Sequence, residues 1–312
     1  MDHKQLRAFL TVAETGNMTR AAEQLNVVQS AVSRQIQLLE EDIGVQLFQR
    51  ERHGMALTDA GKSLQGYARR VMLELDRARA ELTGSATEVA GIVTVGLLPS
   101  TCDVVASPLI SAVTRDYPKI RMRLAVGYIE TLQQWLEKGE VDVAVLYGVE
   151  NLPHIHVTPL LTEPLWVVGP ASARLRKQRP VPVASLADKP MILPEGPHGV
   201  RGMVDYACAM ANVTLQGFVE TNAMSVQKGL VLGGHGYTIL PPISFATELA
   251  SGALTGAPLT APEISRTLQL ALPANRTVGR PVRCVVDLVV KCIHEAVTSN
   301  RWPEARWVAK EQ

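Results

Sequence analysis

Asn17-Met-Thr-Arg-Ala-Ala-Glu-Gln-Leu-Asn-Val-Val-Gln-Ser-Ala-Val-Ser-Arg-Gln-Ile-Gln-Leu-Leu-Glu-Glu41 is the stretch whose reading decides the fold. It predicts two short helices joined by a tight turn. In the second, Val32, Ile36 and Leu39 follow the i, i+4, i+7 spacing of a buried helical stripe. Gln29, Ser30, Ser33, Arg34 and Gln37 fall on the opposite side. That face carries short hydrogen-bonding side chains at its N-terminal end and no Lys. It suits a groove in which base edges offer donors and acceptors.

Upstream, Leu6, Phe9, Leu10 and Ala13 form the apolar stripe of a first helix over about residues 4–14, which Gly16 ends. Asn17 suits the N-cap of the second helix, whose Met18, Ala21, Ala22 and Leu25 face a core. Asn26-Val27-Val28 is the turn, and the third helix runs from about Gln29 to Asp42. Three such helices match a helix-turn-helix unit. Downstream, Val45, Leu47 and Phe48 precede a hairpin turn at Gly54, so two short strands with Arg50, Arg52 and His53 near the tip form a wing. Thr58 or Asp59 then caps a long helix. Along it Leu64, Ala68, Val71, Leu75, Ala78 and Leu82 are spaced 4, 3, 4, 3, 4, a heptad seam. A helix packed on its own chain would show the same stripe. A seam between two copies is the expectation, because the helix lies between two domains with no core of its own. Gly84-Ser85-Ala86-Thr87 reads as a hinge.

From Gly91 strands alternate with helices. Residues 92–95, 122–126 and 141–146 read as strands; 103–116 and 131–138 read as helices. This βαβαβ rhythm predicts a doubly wound, largely parallel sheet. A similar unit follows, with strands at 165–168, 191–193, 215–219 and 237–240 and helices at 200–211 and 225–232. Pro258 and Pro262 mark a return crossing, residues 268–272 a strand and 282–297 a final helix. Two α/β lobes crossed at least twice describe a hinged binding domain. The expected division is a DNA-binding domain over 1–58, a dimerising linker helix and hinge over 59–88 and an effector-binding domain over 89–300. Its lobe I spans about 89–161 and 267–300 and lobe II about 162–266, with a loosely held tail at 301–312.

The chain is long enough for two or three domains. Its net charge of +1 advertises neither nucleic acid nor membrane. Even the first sixty residues set six basic against eight acidic side chains, a net −2, so a DNA role rests on pattern alone. Cys102, Cys208, Cys284 and Cys292 form no CxxC pair and read as small apolar residues in a reducing cytosol. His154 and His156 share a strand face without a third ligand, so no metal or cofactor is expected. Gly234-His-Gly lacks the rest of a dinucleotide fingerprint and reads as a turn. The N-terminus shows no signal-peptide core and no apolar run reaches membrane-spanning length, so a cytoplasmic protein is expected.

The joint order of Leu6-Arg-Ala-Phe, Thr19-Arg-Ala-Ala-Glu-Gln-Leu, Gln29-Ser-Ala-Val-Ser-Arg-Gln-Ile, Gly44-Val-Gln-Leu-Phe-Gln-Arg and Leu57-Thr-Asp-Ala-Gly resembles the LysR-type transcriptional regulators. Tyr117-Pro, Gly139-Glu-Val-Asp-Val-Ala-Val and Gly233-Gly-His-Gly-Tyr-Thr-Ile-Leu-Pro look like that family's effector domain. The Leu98-Pro-Ser-Thr segment is most like members regulating nitrogen assimilation, sulphur assimilation or aromatic catabolism. The resemblance implies an all-α winged helix-turn-helix, a long linker helix that dimerises and an α/β, two-lobed, periplasmic-binding-protein-like effector domain. It implies a homodimer or homotetramer on an imperfect palindromic promoter site in the nucleoid, contact with RNA polymerase, and a small metabolite between the lobes.

On this reading Gln29, Ser30, Ser33 and Arg34 meet base edges or phosphates, Thr19 and Arg20 hold a phosphate, and Arg50, Arg52 and His53 serve the wing. Val28 stands where the family usually has Ser. It cannot cap the third helix, so the helix starts with donors free for phosphate or water, unless packing fixes its start. The resemblance places Ser100, Thr101, Thr131, Tyr147, His198 and Arg201 at or near the cleft. The loop Pro99-Ser100-Thr101-Cys102 lies at the carboxyl end of a strand, where hydroxyls and helix N–H groups suit a small organic or inorganic anion. The competing function is a binding protein or enzyme with an incidental helical N-terminus. It would need a nucleophile–base pair, metal cluster or secretion signal, and the sequence has no GxSxG, HExxH or P-loop.

Overall fold

The computed structural model describes residues 1–51, 54–83, 89–148, 153–196, 199–274 and 277–309, with side chains in 76–83 described only at Ala78. The chain forms two compact units that meet in sequence at residues 87–88.

The first unit is built on α1 (His3–Thr15), α2 (Met18–Leu25) and α3 (Gln29–Ile43), followed by β1 (Phe48–Glu51), β2 (Gly54–Leu57) and α4 (Asp59–Thr83). A capping box closes the start of α1: Gln5 N donates to Asp2 Oδ1 at 2.9 Å and Asp2 N to Gln5 Oε1 at 2.7 Å. Asn17 caps α2 twice, its Oδ1 accepting from Thr19 N at 2.8 Å and Arg20 N at 3.2 Å. Leu6, Phe9, Val12, Ala21, Ala22, Val32, Ile36, Leu39, Leu47 and Phe48 pack into one core. Phe9 and Phe48 meet at 5.3 Å between centroids. Glu40 anchors the chain as it enters the wing, its Oε1 accepting from Leu47 N at 2.7 Å and Phe48 N at 3.2 Å. The wing is held against the α1–α2 turn by Met55 N donating to Gly16 O at 2.8 Å. Gly54 makes this approach possible: its φ is +146°, and a Cβ there would lie 2.2 Å from Gly16 O.

The long helix is only partly a free seam. Ala68 is buried in the same core and Leu64 packs against it, so these two positions are occupied within the chain. Val71, Leu75 and Ala78 are exposed. The side chain of Leu82 and the hinge residues 84–87 lie outside the described residues.

The second unit contains β3 (Gly91–Leu97), α5 (Cys102–Asp116), β4 (Ile120–Val126), α6 (Ile129–Glu137), β5 (Val143–Tyr147), β6 (Ile155–Pro164), β7 (Trp166–Pro170), β8 (Val181–Pro182), β9 (Met191–Leu193), α7 (Gly199–Met210), β10 (Gly217–Glu220), α8 (Met224–Leu232), β11 (Thr238–Leu240), α9 (Ala246–Ser251), β12 (Leu254–Thr260), β13 (Ser265–Pro273), α10 (Arg280–Thr298) and β14 (Arg306–Trp307). Lobe I is a six-stranded sheet in the order β14-β6-β13-β5-β3-β4. Only β4, β3 and β5 are mutually parallel; β13 runs antiparallel to β5 and β6, and β14 antiparallel to β6. The expected largely parallel sheet is therefore mixed. The βαβ rhythm holds through β5, after which the chain leaves for lobe II and returns in the opposite sense. Lobe II carries β11-β7-β12-β8 and the parallel pair β10-β9, linked by a bridge between Met191 and Tyr237.

The lobes are joined where β6 and β13 pair over Ile155–Pro164 and Ser265–Pro273, with Leu165 N donating to Ile264 O at 2.8 Å. Asp142 ties β5 to β3, its Oδ2 accepting from Thr94 N at 2.8 Å.

The tail corrects the expectation of a loose end. Trp302 is fully buried in the lobe I core, and β14 pairs with β6. The indole supplies the area that holds the segment down. It contributes roughly 2 kcal/mol or more of apolar burial.

Candidate functional site

Two surfaces carry the chemistry, one in each unit. On α3, Gln29, Ser30, Ser33, Arg34 and Gln37 line the polar side, while Val32, Ile36 and Leu39 are buried. Gln29, Ser30, Ser33 and Arg34 are exposed to solvent. Gln37 is engaged with its own helix, Nε2 donating to Glu41 Oε1 at 2.9 Å. Thr19 and Arg20 are exposed at the start of α2, but their N–H groups are already taken by Asn17. Of that pair, the Arg20 side chain and the Thr19 hydroxyl remain for a phosphate. The start of α3 is different. Its N-cap residue is Val28, which makes no side-chain cap. Arg50 is exposed on β1, and Arg52 and His53 lie outside the described residues.

In the second unit a cleft lies between the lobes at the carboxyl ends of their strands, the usual ligand position in open α/β sheets. It is lined among others by Ser100, Tyr128, Tyr147, Gln227, Ser244 and Arg266. The lobes are drawn together across it. Met224 N at the start of α8 donates to Tyr128 Oη at 3.0 Å. Gly199 packs so closely on lobe I that a Cβ would meet Ile129 Cδ1 at 2.4 Å and Tyr147 Cε2 at 3.1 Å.

Behind the cleft lies a buried polar chain. Arg266 donates through Nε and Nη2 to Glu163 Oε1, at 2.8 and 2.6 Å, and through Nη2 to Ser100 Oγ at 2.8 Å. Trp302 Nε1 donates to the other carboxylate oxygen, Oε2, at 2.8 Å. The guanidinium also stacks over the Tyr147 ring, 4.5 Å from its centroid. Burial pushes the Tyr147 phenol up, against the opposing effect of Arg266, and burial likewise pushes up Tyr128. Both stay protonated donors at neutral pH. Of the groups buried without partners among the described residues, two belong to this region: Gln227 Nε2 and Ser244 Oγ. A native interior seldom leaves such groups orphaned, and both line the cleft.

The expected cleft residues distribute unevenly. Ser100 and Tyr147 line it. Thr101 is fully buried, and its hydroxyl donates back to Leu98 O at 3.0 Å, so it serves the turn. Thr131 lies on α6 against Gly127 and does not line the cleft. Arg201 is held on the surface by Asp205 Oδ1 at 2.9 Å, Glu220 Oε1 at 2.7 Å and Pro194 O at 3.2 Å. His198 lies outside the described residues. Arg266, Glu163, Gln227, Ser244 and Trp302 were missed. One signal was available: Arg266 falls in phase with Leu268 and Leu270 on an alternating strand, where a charge in the buried phase is unusual.

Of the thiols, Cys102 lies nearest this site, its Sγ donating to Leu98 O at 3.3 Å. Burial pushes up Cys102, Cys208 and Cys292, in each case as the main cause. Among the described residues no group of three or more His, Cys, Asp and Glu could hold a metal. No described helix is long and apolar enough to cross a membrane.

A winged helix-turn-helix joined to a two-lobed domain with a cleft between its lobes defines a DNA-binding regulator with an effector-binding domain. Residues 3–62 match the bacterial regulatory helix-turn-helix protein model of the lysR family, and residues 86–291 match the LysR substrate binding domain. The chain belongs to the LysR family of transcriptional regulators. It is 32% identical to the HTH-type transcriptional regulator BbuR of Bordetella bronchiseptica, over 97% of this chain and 93% of that protein. It is 28% identical to the nitrogen assimilation regulatory protein nac of Escherichia coli, over 96% of this chain and 98% of that one. In fold it is similar to a cysteine-to-aspartate variant of full-length OxyR from Pseudomonas aeruginosa, with a TM-score of 0.70 at 23% identity over 100% of this chain and 99% of that one. It is equally similar to full-length CbnR complexed with its target DNA, with a TM-score of 0.70 at 22% identity over 95% and 100% of the two chains.

Proposed function

We propose that this regulator senses a small organic or inorganic anion in the cleft and alters its grip on a promoter in response. The observation that carries the reading is the character of the few polar groups in a mostly apolar lining. Among the described residues Arg266 is the one charged side chain there, no carboxylate lines the cleft, and Gln227 Nε2 is an unused buried donor. Glu163 keeps the guanidinium tolerable without ligand, since a buried charge needs a partner. An anion would take hydrogen bonds from Gln227, Ser244 and Ser100 and face Arg266. Its differential affinity for two lobe arrangements is what makes a switch.

On the DNA side Gln29, Ser30, Ser33 and Arg34 read base edges, and Thr19, Arg20 and Arg50, with Arg52 and His53, hold phosphates. Two copies pair through the exposed part of the α4 stripe, Val71, Leu75 and Ala78, as a homodimer or homotetramer in the cytoplasm, on an imperfect palindrome within reach of RNA polymerase. Cys208 and Cys292 are poorly suited to sense peroxide, because both are buried with their thiols pushed up, the opposite of a reactive thiolate.

A thermal-shift screen of the full-length protein against small carboxylates, inorganic oxyanions and neutral isosteres tests the sensing half. At least one anion should raise the melting temperature of the wild type and do so far less for Gln227→Leu. Stabilisation only by neutral compounds would overturn it. For the DNA half, Arg34→Ala should lower affinity in a gel shift while leaving the melting temperature unchanged. An unmoved midpoint removes that role.

A further inference from the structure

We propose that Val28 is a specificity-determining residue that reads the C5-methyl group of a thymine in the operator. The inference rests on the assignment of α3 as the base-reading helix. Two neighbouring apolar side chains stand out at its start: Val27 is 48% exposed and Val28 69%. They are not loosely placed. Val27 N donates to Ala22 O at 3.0 Å, and Val28 O accepts from Ala31 N at 3.0 Å, so the turn that projects them is fixed on both sides.

Nothing in the fold requires valine here. An exposed side chain gains little from burial, and the Val28 backbone, φ −76° and ψ 149°, is ordinary extended geometry open to Ser, Thr, Asn or Asp. Each of those would cap the helix, as Asn17 does for α2. The chain thus forgoes a cap at the end of the helix whose neighbours, Gln29 and Ser30, are exposed hydrogen-bonding groups. In helix-turn-helix proteins that end of the second helix meets the base edges. Among the groups that base pairs present in the major groove, the thymine methyl is the apolar one. An apolar side chain held rigidly beside polar readers has its chemical complement there.

The operator itself can be found by selection. The full-length protein enriches its site from a random-sequence duplex pool, and the enriched duplex is resynthesised with each thymine replaced singly by uracil. This removes one methyl and no hydrogen-bonding group. For the wild type at least one such replacement per half-site should weaken binding about fourfold, the worth of one buried methyl group. Val28→Ser should bind the parent duplex more weakly and be indifferent to uracil at that same position, while melting at a higher temperature. The higher melting point shows that the loss is not misfolding. A wild type indifferent to every uracil, or a Val28→Ser variant with undiminished sensitivity, would overturn the role of Val28 while leaving the DNA-reading face intact. If the wild type enriches no duplex at all, the α3 assignment falls and this inference with it.

Discussion

Replacing Glu163 by Gln should be among the most damaging single-atom changes available in this chain. Both carboxylate oxygens are acceptors: Oε1 takes two N–H groups of Arg266 and Oε2 takes the indole N–H of Trp302. A Gln side chain must turn its NH2 toward one of these donors, and it leaves a guanidinium that is 3% exposed without a counter-charge. Breaking a buried pair from one side costs about 3–5 kcal/mol. For a unit of this size each kcal/mol moves the melting temperature by roughly 2–4 °C, so a fall of about 10 °C is expected. Urea unfolding of Glu163→Gln, Arg266→Met and the double variant Glu163→Leu/Arg266→Met separates the pair from its parts. The double variant should be more stable than either single, because neither charge is then stranded. A loss below about 1 kcal/mol in Glu163→Gln, or a double variant whose loss equals the sum of the singles, would refute the reasoning.

Asn17→Ala removes the double cap of α2 and should cost the DNA-binding unit about 1 kcal/mol, read as a lower denaturant midpoint at unchanged slope. Gly199→Ala forces a methyl against Ile129 and Tyr147 and should cost about 1–3 kcal/mol by overpacking, with a weaker effector-induced rise in melting temperature. Burial raises the thiols of Cys208 and Cys292 above the ordinary 9.0, so the fold favours their protonated form. Their contribution is complete below pH 9 and is lost as pH rises through the raised values, so the melting temperature should fall on the alkaline side. At about pH 8, where both thiols are protonated, a thiol reagent should label them no faster than the protein unfolds.

The DNA-binding unit was largely legible because its signals are local. Stripes at helical spacing, Asn17 before a helix and Gly54 at a hairpin each specify geometry within a few residues. The seam on α4 was harder, since Leu64 and Ala68 obey the same heptad as Val71 and Leu75 yet pack on their own core. Periodicity reports that a face is buried and is silent about the partner. The cleft was hardest. Ser100 and Tyr147 could be placed by resemblance to a family, but Arg266 meets Ser100 across 166 positions and Glu163 across 103, and no spacing rule reaches that far. The sense of β13 was hidden for the same reason: a strand's own sequence does not say which way its neighbours run. Trp302 was read as part of a tail because it follows the last helix among Arg, Pro and Glu, where a single buried indole leaves no periodic trace.

The pairing of β6 with β13 has a consequence for how the molecule assembles. Lobe II is one uninterrupted stretch, whereas lobe I is made of two pieces on either side of it. Lobe II can therefore collapse on local information, while the sheet of lobe I must wait for its second piece. An early-formed lobe II shortens the gap that lobe I has to close, acting as a splint that brings Ile155–Pro164 and Ser265–Pro273 into register. The guanidinium that faces the cleft is delivered by the later of those two segments, and the indole that secures its carboxylate comes later still. The cleft thus draws side chains from both pieces of lobe I and from lobe II, and it is complete only when all three segments are in place.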